Sequence, residues 1–92
     1  IIIYFTMNIN ELIKDIKKKI KANIELENIV VEDKSFLHKN HKGYTKDRFH
    51  LKISIQSKTL KGMNKVEANK KIYKILKEEM NSYIHSLQIL MR

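Results

Sequence analysis

Residues 49–57 read FHLKISIQS, and this stretch decides the fold. Phe49, Leu51, Ile53 and Ile55 fall on one parity, while His50, Lys52, Ser54 and Gln56 fall on the other. Such alternation predicts a β-strand with one face in the core and the other wet or covered by a partner. A strand needs neighbours, and the flanking sequence supplies them. Upstream, NIVVEDK at 28–34 is short and rich in β-branched residues, which predicts a strand. Downstream, the closing IHSLQILMR puts His85, Leu87, Ile89 and Met91 on one parity and predicts another. Between and before the strands lie helical patterns. In 9–22, Ile9, Leu12, Ile13, Ile16 and Ile20 recur at steps of three and four and form one apolar stripe. Asn8 and Glu11 have the spacing of a capping box, and Lys14, Lys17, Lys18 and Lys21 fall largely on a solvated face. KTLKGMNK at 58–65 reads as a basic turn around Gly62. Val66, Asn69, Ile72, Tyr73, Leu76 and Met80 then mark a second amphipathic helix over 66–82.

The predicted order is therefore helix, strand, strand, helix, strand. The first two strands can pair as an antiparallel hairpin. The helix after the second strand permits a right-handed crossover, which makes the second and third strands parallel. The expected product is an α+β fold, a small three-stranded mixed sheet with both helices packed on one face.

With 92 residues the chain has material for one domain, placed at 8–92. Residues 1–7, IIIYFTM, read as an N-terminal extension that need not be native, with Met7 a candidate start. Their apolar run is far too short to span a membrane and lacks the layout of a signal peptide. The expected location is cytoplasmic or mitochondrial rather than secreted. There is no cysteine, which excludes disulfides, a thiolate nucleophile and a self-supplied thiolate ligand. The formal charge of +9 points to an acidic partner, although Lys, Ile and Asn would also be abundant in an AT-rich genome.

SFLHKNHKGYTKDRFH at 35–50 holds His38, His41 and His50, three of the four histidines. No periodicity organises 35–47, and a loop this long in so small a domain suggests function. Under the parallel topology His50 and His85 start neighbouring strands at the same sheet end, and the loop carrying His38 and His41 feeds into it. Imidazole is a common ligand for zinc, copper and iron, so the convergence is a candidate metal site. The bland readings are a solvent-facing His50 and a hydrogen-bonded His85 at the rim of the core. Glu32, Asp33 and Asp47 have no ligand spacing that recommends them, and a partner could bring the missing thiolates. Catalysis by the chain alone is not expected. No Ser/His/Asp signature, phosphate-binding glycine loop or metalloprotease motif is present, and Glu78 and Glu79 read as surface charges.

From about Asn8 to Arg92 the chain resembles the BolA-like proteins. The matching pieces are EDKSFLHKNHKG, FHLKISIQSKTLKGMNKV, IYKILKEEM and IHSLQI. The resemblance implies a fold like the class II KH domain. It also implies a monothiol glutaredoxin as partner and a 2Fe–2S cluster shared with that partner and its bound glutathione, with none held by the isolated chain. The implied ligands are His85 and, from the loop, His38, with His41 as the alternative and His50 as a weaker candidate. Two departures stand out. A His-Arg pair of many family members is replaced by Asn69 and Lys70. The Gly-x-x-Gly loop with which KH domains grip RNA is replaced by GMNK, ending at Lys65.

The alternative reading is a nucleic-acid-binding transcriptional regulator. It would use Lys58, Lys61, Lys65, Lys70, Lys71, Lys74 and Lys77 around the second helix. Few aromatics are placed for base stacking, which counts against it. An autonomous zinc protein or hydrolase is the third reading. No feature specifies a homodimer.

Overall fold

A computed structural model describes residues 8–35 and 48–92. The elements are α1 (Ile9–Asn23), β1 (Asn28–Asp33), β2 (Phe49–Gln56), α2 (Lys58–Lys61), α3 (Lys65–Ile75), α4 (Lys77–Ser82) and β3 (Ile84–Met91). The strands form one sheet in the order β1-β2-β3, with β1 antiparallel and β3 parallel to the central β2. This is the predicted α+β architecture.

The alternation of β2 sets the core. Leu51, Ile53 and Ile55 are buried on one face, where Ile29 and Val31 of β1 join them. Leu12, Ile16 and Ile20 of α1 and Ile72 of α3 cover that face and are fully buried. Each such side chain contributes roughly 1.5–3 kcal/mol by leaving water. Leu87, Ile89 and Met91 pair with Leu51, Ile53 and Ile55 and are only half-buried.

The helix predicted over 66–82 is interrupted. Leu76, at φ −97° and ψ 19°, ends α3 and starts α4. The buried stripe runs through Ala68, Ile72, Leu76 and Glu79, while Val66 and Tyr73 are 62% and 40% exposed. The basic turn is also more ordered than expected. Ser57 caps α2 through Leu60 N–H, and Asn64 caps α3 through Glu67 N–H. Gly62 sits at φ −78°, and no described residue has positive φ. Lys65 is the first residue of α3, so the turn ends where the helix begins.

Candidate functional site

The β2–β3 pairing contains a register shift. Phe49 pairs with Ile84, whereas the next residue, His50, pairs with Ser86. His85 is therefore the extra residue of a β-bulge, rare between parallel strands. The bulge lets Ile84 and Leu87 both face the core although they are three apart. His85, freed from the pleat, is exposed. The expectation of a histidine at the rim of the core is corrected: parity counted back from Leu87 misplaces His85 because the bulge resets it.

The reading of His50 as a solvent-facing residue is corrected as well. His50 lies on the sheet face opposite the helices but is only 5% exposed. Register brings Ser86 beside it, and Ser86 Oγ lies 2.6 Å from His50 Nδ1. The backbone N–H of His50 donates to Ser35 Oγ at 3.1 Å, and its carbonyl accepts from Lys34 N–H at 2.7 Å. The rings of His50 and His85 meet edge to face, with centroids 4.9 Å apart and planes at 63°. Ser35 and Ser86 thus both contact His50.

Of the four histidines, the structure brings His50 and His85 together. His38 and His41 lie outside the described residues. The residues flanking that segment are at this end of the sheet: Ser35 contacts His50, and Arg48 donates through Nη2 to Asn81 O at 2.9 Å. Among the described residues no group of three or more His, Cys, Asp or Glu side chains could hold a metal ion. Among the described residues the donors at this end of the sheet are the exposed His85 imidazole and the buried His50 imidazole behind it. An exposed imidazole of this kind can serve as one ligand of a metal group.

A second polar cluster was missed by sequence reasoning. Glu79, expected at the surface, is 3% exposed and ion-paired with Lys19 of α1. Burial pushes its carboxyl up, but hydrogen bonds with Asp15 and Lys19 outweigh this and hold it below the usual glutamate value. The hydrogen bond with Glu79 raises Asp15 above the usual aspartate range and is also the main cause that raises Lys19. The signal was available: Glu79 lies seven residues after Ile72 and three after Leu76, on the buried stripe.

Lys58, Lys61, Lys65, Lys70, Lys71, Lys74 and Lys77 are all exposed along α2, α3 and α4. Among the described residues no helix is long and apolar enough to cross a membrane.

Comparison with known proteins agrees with this architecture. The pattern of the family described as BolA-like protein matches residues 20–92. The chain is 36% identical over 76 residues to Protein BOLA1, chloroplastic, of Arabidopsis thaliana, covering 79% of this chain and 48% of that protein. It is 32% identical over 74 residues to the DNA-binding transcriptional regulator BolA of Haemophilus influenzae, covering 80% of this chain and 69% of that protein. The chain thus spans about half the length of the plant relative. Among solved structures, BolA1 from Arabidopsis thaliana superposes with a TM-score of 0.71 at 28% identity, covering 100% of this chain and 94% of that one. The BolA domain of SufE1 from the same plant gives 0.72 at 24% identity, covering 94% and 93%, a likeness of fold.

Proposed function

Because the chain belongs to the BolA-like family, we propose that it is an iron–sulfur accessory protein. In this reading it binds a monothiol glutaredoxin and shares a glutathione-ligated 2Fe–2S cluster, for cluster trafficking or for iron and redox regulation. The observation that carries the reading is His85, an imidazole lifted out of the sheet by a bulge and left exposed at the start of β3. His85 supplies one ligand and His38 or His41 the other, while the partner's cysteine and glutathione bring the thiolates this chain lacks. The cluster is cargo held between two proteins. Imidazole in place of thiolate on one iron raises the reduction potential and makes retention fall at acid pH, where protonated imidazole cannot bind metal.

Visible circular dichroism tests this. Mixing the protein with cluster-loaded monothiol glutaredoxin and glutathione is expected to give a new spectrum, which His85→Ala abolishes. A spectrum unchanged on mixing with folded wild-type protein would set cluster sharing aside.

A second reading, nucleic-acid binding, is favoured by the name of the Haemophilus influenzae relative and by the seven exposed lysines. The two roles are compatible, since the lysines line the helices and His50 and His85 lie at one end of the sheet.

A further inference from the structure

The exposed imidazole of His85 raises a physical difficulty. A surface side chain on a bulge has no pleated neighbour to hold it and would ordinarily sample several staggered rotamers. A ligand that must meet a metal group at a defined angle loses affinity with every rotamer that points elsewhere.

The geometry points to His50 as the answer. We propose that His50 is a positioning residue, a buried imidazole whose ring forms the wall against which the His85 ring is set. The inference rests on the cluster-sharing reading for its purpose, but its structural content stands apart from that reading. His50 is itself pinned from both flanking strands. Lys34 N–H, just past β1, donates to its carbonyl, and Ser35 Oγ accepts from its N–H. Ser86 of β3 bonds its Nδ1. That last bond also holds the residue that follows His85, so the bulge is tethered at its downstream side. With the ring 5% exposed and so anchored, the edge-to-face contact at 4.9 Å restricts His85 from beneath.

Positioning and ligation differ in what they ask of the ring. His50 has Nδ1 committed to Ser86 and is buried, whereas His85 is exposed. A ligand role for His50 needs its nitrogen, while a wall needs only an aromatic ring of similar size. Groups that orient a metal-binding histidine commonly alter metal affinity by about ten- to a hundredfold when removed.

The test uses the full chain in two measurements. The first needs no metal: the χ1 distribution of His85, read from three-bond couplings in the isolated protein. Wild type is expected to show one dominant rotamer, and His50→Ala an averaged one. His50→Phe, which keeps a ring, is expected to restore the dominant rotamer. The second is the rate at which the mixed cluster's circular dichroism decays with cluster-loaded monothiol glutaredoxin and glutathione. Decay is expected to be on the order of tenfold faster in His50→Ala and close to wild type in His50→Phe.

A single His85 rotamer retained in His50→Ala would overturn the proposal. So would a His50→Phe protein that forms no more mixed cluster than His85→Ala, since His50 would then be a ligand. If His50→Ala fails to fold, Ser86→Ala, at an exposed position, replaces it, with broader His85 rotamers expected and unchanged ones counting against the proposal. Absence of any mixed cluster in wild type would defeat the functional reading, and the rotamer measurement would still decide the role of His50.

Discussion

Glu79 shows how one residue's surroundings reverse its ordinary chemistry. Its Oε2 takes the Lys19 ammonium, while the buried Oε1 has no fixed donor. The hydrogen bond with Glu79, which needs the Asp15 proton, is the main reason Asp15 holds that proton more tightly in the folded chain. The raised Asp15 value contributes stability that is fully present below pH 3.8 and is lost as pH rises through the folded value. Glu79 acts in the opposite sense: its lowered value contributes stability present above pH 4.5 and lost as pH falls through the folded value. Asp15→Asn installs a permanent amide donor in place of the titrating one. It is expected to stabilise the protein by about 1 kcal/mol at neutral pH, with the gain shrinking toward zero once the wild-type carboxyl is protonated. Urea midpoints of the two proteins from acid to neutral pH check this, and a pH-independent difference would refute it.

At the scale of elements, the junctions matter more than the interiors. The bulge at the start of β3 separates the apolar Ile84 from the Leu87, Ile89 and Met91 series, and without it His85 would pair with His50 in register. The spacing of Ile84 and Leu87 carried that signal, but uniform alternation through the strand hid it. The buried face keeps helical spacing through Ala68, Ile72, Leu76 and Glu79 across the interruption at Leu76, and it leaves Tyr73 40% exposed. Caps fix where helices begin. The Asn-x-x-Glu spacing at Asn8 and Glu11 recurs at Asn64 and Glu67, and both asparagines accept the expected N–H, at 2.9 and 2.8 Å. Asn64→Ala should lower stability by about 1 kcal/mol in chemical denaturation. A change within error would mean that the turn before α3 is held by packing of Leu60 and Ala68 alone.

For the molecule as a whole, the +9 charge and the exposed lysines favour acidic partners without specifying one. Binding to random duplex DNA, followed by fluorescence anisotropy, is expected to collapse between roughly 50 and 200 mM salt, as counterion release dictates. A sequence preference that survives the higher salt would instead favour the regulator reading. The parity of β2, the stripe of α1 and the order of elements were legible in the chain because periodicity is a local property, written in neighbouring residues. From these the mixed three-stranded sheet followed through chain connectivity. The absence of thiolates and the sign of the charge were equally fixed by composition. Only the tertiary structure decided that His50 is buried, that the exposed His85 ring meets it edge to face, and that Glu79 meets Lys19 across a separation of 60 residues. Burial of a polar side chain depends on what a distant element carries to the same place. Here a one-residue bulge sets the meeting of the two histidines and helical spacing carries Glu79 to Lys19, signals that a uniform strand pattern and a surface reading of charge pass over.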